Sequence, residues 1–271
     1  MLEDQPPRND VRPSEDIFGA ALAPSGDPYS HEYWAEVRVL QERMSLQLFA
    51  RMREYITHGD VRQRQLAADV LAQSRVPNKL LSEDCVHLLL ETLKREESPR
   101  VLESLCHALG HHKSSDAVAP LSQLRGHPDP DVRFAIVHGL SCQDDPEAIA
   151  ALISLSADSD RDVRNWATFG LGSMTEVDSG PLREALLARL AETDDEISGE
   201  ALVGLALRGD PRVAGPLLRT MNSIHESHER FGSLIIDAVE AVRAASLNHP
   251  NEVWKPILDR CDELGLGKPV Q

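Results

Sequence analysis

The residues best suited to metal chemistry lie in two histidine-containing segments. The first is His225-Glu226-Ser227-His228-Glu229, whose histidines stand three residues apart rather than at the four-residue spacing of the zinc motif H-E-x-x-H. The second joins Cys106-His107 to His111-His112. Neither segment supplies the three or four converging ligands that a metal ion needs, so we predict no metal site and no cofactor. We expect Cys106 and His107 to point off their helix, and His111 and His112 to contact the carbonyl groups at its end.

Motifs for covalent or nucleotide chemistry are absent from the sequence. There is no P-loop, no G-x-S-x-G turn and no G-x-G-x-x-G segment after a strand. Four widely spaced cysteines form no C-x-x-C pair, which predicts reduced, packed thiols rather than a zinc site or a disulfide framework. They are Cys85, Cys106, Cys142 and Cys261. We therefore nominate no catalytic residue.

The charge of the chain limits the partners it can bind. Lys and Arg number 28 against 44 Asp and Glu, a net charge of −16. A nucleic-acid scaffold needs a basic face, so this balance argues against one and favours a basic protein partner. The first residues show no signal-peptide pattern, and no apolar run approaches the roughly 20 residues that span a bilayer. We predict a cytoplasmic protein that binds neither membrane nor nucleic acid.

A repeat of 31 residues sets the positions of these side chains. Val101, Val132 and Val163 are each 31 residues apart, and a fourth copy continues at Ile197 after a three-residue insertion. Three further columns keep the same spacing, namely Leu105, Ile136 and Ala167; Ala108, Gly139 and Gly170; and Leu109, Leu140 and Leu171. A set of matched columns indicates a repeated structural unit.

Each repeat is predicted to be two antiparallel helices, A and B. Offsets 0, +3, +4, +7 and +8 mark one apolar face of helix B, and small residues at +7 allow close packing between helices. We expect Asp131 and Asp162 to cap B helices, and Gly110 and Gly172 to end them. The predicted pairs span about 41–73, 82–110, 115–142, 146–173, 180–208 and 212–247.

Together these patterns predict an all-α protein, a right-handed α-solenoid of about six helix pairs with a C-terminal capping helix. Residues 1–28 are rich in Pro, Asp and Glu and lack a helical period, which predicts a disordered tail. The solenoid is assigned to 29–248. In the capping segment 249–271, Trp254 and Ile257 are expected to cover the last pair.

The chain resembles the HEAT-repeat superfamily, in the short bacterial form known from phycobilisome-lyase-like proteins. The resemblance rests on Asp131-Val132-Arg133 and Asp162-Val163-Arg164 at the starts of B helices, on the Gly-Leu pairs that close them, and on Pro120 and Pro216 inside A helices. It covers residues 41–247. It implies the fold, but this superfamily carries many unrelated functions.

Enzymes of this superfamily offer alternatives to a scaffold function. Deoxyhypusine hydroxylase has His-Glu pairs at equivalent helix positions, where this chain has Arg133-Phe134 and Arg164-Asn165. The His-Glu pairs that do occur in this chain, at 31–32, 225–226 and 228–229, lie outside the repeat columns, which argues against a hydroxylase. A DNA glycosylase would need a cationic groove, contrary to the acidic charge. A lyase-like or other metal-dependent enzyme stays the alternative function.

Offsets +2 and +6 are predicted to point away from the core, toward the concave face of the solenoid. The candidate partner-binding residues there are Glu103, His107, Phe134, His138, Asn165 and Phe169. Phe134 and Phe169 are expected to be exposed or partly covered and to anchor a partner, unless superhelical twist tucks them against the next repeat. Neighbouring repeats lie on the order of 10 Å apart, which predicts that His107 and His138 are too distant to share a metal ion.

Acidic residues concentrate in the A-to-B turns. Between Asp144 and Glu200 there are 14 acidic and 4 basic residues. The predicted partner-binding residues of this acidic rim are Asp160, Asp194, Asp195 and Glu196. Capping explains part of the pattern, and Arg133 and Arg164 could bridge such aspartates between repeats. We predict a non-catalytic scaffold that binds a basic protein through its concave face and this rim.

Overall fold

The computed structural model describes residues 10–23, 30–73, 79–223, 229–248 and 252–264, and its regular elements within these ranges are all helices. It confirms the predicted all-α solenoid class. Helices α1 (Ser14–Ala21) and α2 (His31–Glu42) come first. The predicted A–B pairs follow as α3 (Leu46–His58) and α4 (Val61–Ala72), α5 (Lys79–Leu93) and α6 (Pro99–His112), α7 (Val118–Gln123) and α8 (Pro130–Leu140), α9 (Pro146–Leu155) and α10 (Arg161–Ser173), α11 (Gly180–Arg189) and α12 (Asp195–Leu207), and α13 (Ala214–Ser223) and α14 (Glu229–Asn248).

The chain divides into two compact units, an N-terminal unit of Met1–Gly139 and a C-terminal unit of Leu140–Gln271. In the C-terminal unit, α15 (Lys255–Leu264) packs on α13 and α14, and Trp254 and Ile257 are buried. These contacts are those of a capping helix. No helix among the described residues is both long enough and apolar enough to cross a membrane.

Helix α1 lies inside the segment predicted to be a disordered tail. Its Ile17 and Phe18 are buried, and the Phe18 ring meets the ring of Tyr55 edge to face at 5.7 Å. The guanidinium of Arg51 lies 4.5 Å from the centre of the Phe18 ring. The prediction of disorder over 1–28 is therefore wrong for residues 14–21, because Ile17, Phe18 and Ala21 form a buried face and the short helix packs on α2.

The helix caps lie two residues before the predicted ones. Asp160 accepts the backbone N–H groups of Asp162 and Val163 at 2.9 and 3.1 Å, and the N–H of Asp131 bonds to Asp129 at 3.0 Å. Asp131 and Asp162 lie in the first turns of α8 and α10, so their assignment as caps is wrong. A capping carboxylate must precede the N–H groups that it accepts, which places it outside the helix.

Two arginines bind the turns that precede their own B helices. Arg133 Nη1 donates to the carbonyl oxygens of His127 and Pro128 at 2.8 and 3.1 Å. Arg164, 31 residues later, donates to two turn carbonyls at 2.9 and 3.1 Å and contacts Glu192 at 3.5 Å. The 31-residue repeat therefore extends to a side-chain bond that fixes each turn.

Pairs of glycines bring successive B helices together. A Cβ atom on Gly110 would lie 2.8 Å from the Cα of Gly139, and one on Gly204 would lie 2.5 Å from the Cα of Gly172. Gly110 and Gly172 lie within α6 and α10, so the prediction that they end these helices is wrong. Their role is close packing of backbone against backbone, since a larger residue would clash.

The cysteines differ in burial. Cys85, Cys106 and Cys261 are buried. Cys142 is exposed just after α8, with a φ of 63°. The prediction of packed thiols is therefore wrong for Cys142, whose position in a turn leaves its side chain in solvent.

Candidate partner-binding surfaces

Helices α6 and α8 bring three rings into one group, which we call the ring cluster: His107, Phe134 and His138. The ring centroids of His107 and His138 are 5.0 Å apart, and Phe134 lies 6.4 and 6.0 Å from them. The prediction that these histidines are too far apart is wrong. The contact between Gly110 and Gly139 holds α6 and α8 closer than ordinary side chains allow.

The ring cluster is accessible and uncharged at neutral pH. His138 is exposed, whereas His107 and Phe134 are half-buried. Burial, with smaller effects from His138 and His111, lowers the pKa of His107 to about 4. Burial also lowers the pKa of His138. Both imidazoles are therefore neutral aromatic rings at pH 7.

Glu103 lies one helical turn before His107 on α6 and is half-buried. Residues four apart are neighbours on one helix face, so Glu103 places a carboxylate beside the ring cluster. Cys106 is fully buried, and burial together with the Glu103 charge raises the pKa of its thiol to about 12. The prediction that Cys106 points off the helix is wrong, because its side chain belongs to the core.

The two histidines at the end of α6 contact the neighbouring repeat. His112 Nε2 donates to the carbonyl oxygen of Leu71 at 3.0 Å, and His111 Nε2 lies 3.0 Å from the side-chain nitrogen of Gln73. Leu71 and Gln73 lie at the end of α4. The prediction of contacts with their own helix is therefore wrong, since α4 and α6 pack side by side.

The described residues contain no group of three His, Cys, Asp or Glu side chains that could hold a metal ion. The segment of His225 and His228 lies outside the described residues. For the ring cluster, the geometry brings together two imidazoles, one phenyl ring and a neighbouring carboxylate.

In the C-terminal unit, the predicted outward positions differ in exposure. Phe169 is half-buried and meets the ring of Trp166 edge to face at 5.7 Å. Asn165 is only 4% exposed and donates to the Glu196 carboxylate at 3.3 Å. Val203 is also buried. The prediction that offsets +2 and +6 point outward is wrong for Asn165 and Val203, because α12 packs between α10 and α14.

The acidic turns of the C-terminal unit contain an arginine that the sequence analysis overlooked. Arg161 contacts Asp194 at 2.8 Å, Glu196 at 2.6 Å and Asp162 at 3.0 Å. Asp194 also caps α12, while Asp195 is exposed. A single Arg within an Asp-rich turn was the signal that could have indicated such a bridge.

Known HEAT repeats match this architecture. Residues 86–172 match the family model of HEAT repeats. The structure of the YibA protein of Escherichia coli superposes with a TM-score of 0.68 at 21% identity, covering 94% of this chain and 92% of that one. Residues 86–172 of the chain therefore consist of HEAT repeats. Among curated proteins, none has a sequence that matches it significantly.

Two other solved structures resemble the fold of this chain. Kap121p gives a TM-score of 0.68 at 14% identity, over 90% of this chain and 28% of that one. The archaeal HEAT-like repeats protein of Thermococcus onnurineus gives 0.51 at 15% identity, over 88% of this chain and 99% of that one. At these identities the likeness shows the fold alone. Solenoids of this kind present extended surfaces to other proteins.

Proposed function

We propose that this HEAT-repeat protein is a non-catalytic scaffold that binds a basic protein through its acidic turns and the outward rings of its B helices. The observation that carries the proposal is the charge of two successive turns in the C-terminal unit. They contain six carboxylates, those of Asp158, Asp160, Asp162, Asp194, Asp195 and Glu196, and Arg161 contacts three of them.

Capping does not remove the negative charge of these turns. A backbone N–H that bonds Asp160 or Asp194 satisfies a carboxylate oxygen without neutralising it. The side chain of Asp162 is 68% exposed, and Asp195 is also exposed. Such a field accelerates the approach of a basic surface and weakens as salt rises.

The outward rings supply the anchors of the proposed interface. Phe134 and Phe169 are half-buried, so each is held by the fold and keeps part of its ring in solvent. Partly held aromatic residues commonly dominate the binding energy of an interface. In this proposal His107 and His138 contact Phe134, Glu103 lies one helical turn before His107, and the buried Asn165 orients Glu196 through its hydrogen bond.

Affinity capture from the native host tests the proposal with three double variants. We expect the wild type to retain one basic protein, and both Phe134→Ala/Phe169→Ala and Asp162→Asn/Asp195→Asn to lower its recovery at least about 10-fold. The matched control, Asp237→Asn/Glu240→Gln, removes two exposed charges from α14 and should not change it. Circular dichroism checks that each variant is folded. Equal recovery by all four proteins contradicts the proposal.

A metal-dependent enzyme is the second candidate, and one observation favours it. The rings of His107 and His138 lie 5.0 Å apart with Glu103 one turn away. Metal analysis of protein purified without an affinity tag tests this function. Stoichiometric metal that disappears in His138→Ala supports the enzyme, whereas metal-free protein that still captures the partner contradicts it.

A further inference from the structure

We infer that the ring cluster selects arginine over lysine in the basic partner, by stacking a guanidinium on its rings beside the Glu103 carboxylate. The inference rests on the proposed function and adds the chemistry of the residue that is recognised. It concerns His107, Phe134 and His138, which all lie in the N-terminal unit.

The arrangement of the rings is the first observation that supports arginine binding. His107 meets His138 at an interplanar angle of 63° and Phe134 at 60°, so the rings pack edge to face rather than in a closed stack. His138 is exposed and Phe134 is half-buried, so part of each side chain faces solvent. A planar cation gains most when it covers such a surface.

The close packing of helices α6 and α8 is the second observation that supports arginine binding. Gly110 and Gly139 hold α6 against α8 next to the cluster, because a Cβ atom on Gly139 would lie 2.7 Å from Leu121 and 3.1 Å from the Cys106 carbonyl oxygen. The rings are thus positioned before a ligand arrives. A preformed surface costs less conformational entropy on binding than a flexible one.

The charge of the groups around the rings is the third observation that supports arginine binding. Neutral imidazoles do not repel a cation, and Glu103 supplies the negative charge that a guanidinium can meet with its N–H groups. Other ionisable groups interact with the cluster or with Glu103, namely His111 and Cys106 on α6 and Asp69 on α4. Of these, the thiol of Cys106 stays protonated at pH 7, since its pKa is raised to about 12.

Arginine fits this site better than lysine for a physical reason. A guanidinium is planar and weakly hydrated, so it stacks on a ring while its edge donates to a carboxylate. An ammonium group is compact and strongly hydrated, and it loses more solvation on a half-buried surface. Both carry one positive charge, so attraction by the acidic turns alone does not separate them.

Two synthetic peptides of equal charge, acetyl-(Gly-Arg)4-amide and acetyl-(Gly-Lys)4-amide, test the inference with the full chain. Titrations at pH 7.5 and low salt, followed by the histidine signals in NMR, should show the arginine peptide binding about 5-fold more tightly. Phe134→Leu and His138→Ala should remove this preference. His138→Phe keeps a ring and should retain it. Equal binding of the two peptides to the wild type overturns the inference, as does a preference that survives Phe134→Leu and His138→Ala.

A charge variant separates this inference from the proposed function. Asp162→Asn/Asp195→Asn should weaken both peptides by a similar factor and leave the arginine preference intact. If both peptides bind equally and both weaken in this variant, the acidic turns attract basic partners but the ring cluster does not select arginine. If neither peptide binds and no basic partner is captured, the proposed function fails with it.

Acidification gives a second readout. A protonated His138 repels a guanidinium, so the arginine preference of the wild type should fall between pH 7.5 and pH 4.5, while His107, with a pKa of about 4, stays mostly neutral over this range. In His138→Phe one of the two imidazoles is gone, and the preference should fall less. A loss of preference that is the same in both proteins contradicts the role of His138, because protonation of Glu103 or Asp69 would then account for it.

Discussion

Two buried aspartates, one in each unit, are stabilised in opposite ways. Asp69 on α4 is 4% exposed, accepts the hydroxyl of Tyr33 at 2.6 Å and is bonded by Ser104. None of the described lysines or arginines forms an ion pair with it. Asp210, which precedes α13, is 1% exposed and contacts Arg212 at 2.6 Å and Arg183 at 3.2 Å.

The difference appears in the acidity of the two carboxyl groups. Burial raises the pKa of Asp69 to about 7, against the hydrogen bonds of Tyr33 and Ser104. The hydrogen bond of Arg212 lowers the pKa of Asp210 to about 2, with Arg183 adding to it. The lesson is that hydroxyl groups satisfy a buried carboxyl but do not offset the cost of its charge, whereas arginines do both.

Arg208, next to Asp210, gives the largest expected effect. Its guanidinium donates to five backbone carbonyl groups at 2.8–3.0 Å, those of Leu171, Gly172, Thr175, Val177 and Gly204. Arg208→Met leaves these carbonyls without that donor, and we expect the free energy of unfolding of the C-terminal unit to fall by about 3 kcal/mol. Urea denaturation at pH 7 measures the change.

The control for Arg208 is an arginine without such bonds. Arg100 is exposed on α6, and Arg100→Met should change the free energy of unfolding by less than about 0.5 kcal/mol. If both substitutions have the same effect, arginine-to-carbonyl bonding is not what stabilises the C-terminal unit.

Asp210→Asn is expected to have the next largest effect. At pH 7 it removes the charge that bonds Arg212 and Arg183, which should lower the free energy of unfolding by about 2 kcal/mol. The folded pKa lies below the unfolded value, so this stabilisation is present above about pH 4 and is lost as the pH falls toward 2. Denaturation curves at pH 7 and pH 3 should therefore differ, with the smaller effect of the substitution at pH 3. An equal loss at both pH values contradicts the ion-pair explanation.

Repeat columns made much of this architecture predictable. The apolar columns gave the four B helices α6, α8, α10 and α12, and small residues at +7 correctly indicated close packing at Gly139 and Gly204. The columns did not show that offset +9 of one helix meets offset +7 of the next, as Gly110 meets Gly139. That pairing decides the distance between His107 and His138, so a generic repeat spacing gave the wrong answer.

Exposure and long-range polar contacts were harder to predict. A helical offset says which way Asn165 points, but α12 lies against that side of α10, so burial depends on stacking rather than on periodicity. In the sequence, nothing distinguishes Asp69 from the other polar residues of α4. Its partner Tyr33 is 36 residues earlier, in a segment where no repeat column predicts a contact.

Asp69→Asn should change stability in the opposite direction from Asp210→Asn. The folded pKa of Asp69 lies above the unfolded value, so its contribution is greatest below about pH 4 and is lost as the pH rises toward 7. Asparagine cannot ionise, and we expect the N-terminal unit to be about 1–2 kcal/mol more stable than wild type at pH 8, with little difference at pH 4.5. Thermal unfolding at the two pH values measures this. If Asp69→Asn is less stable than wild type at pH 8, the buried charge of Asp69 does not destabilise the folded N-terminal unit, contrary to this prediction.

Tyr33→Phe has the smallest expected effect and tests what the hydroxyl does for Asp69. Its hydrogen bond favours the charged carboxylate, so its removal raises the Asp69 pKa further. At pH 4.5, where Asp69 is protonated in the folded chain, the loss should be below about 1 kcal/mol, and at pH 8 it should be larger. In the Asp69→Asn background the pH dependence of this loss should vanish, because no charge is left to support. If the loss is the same at both pH values in wild type, Tyr33 only fills space beside Asp69, and burial alone separates the acidity of the two aspartates.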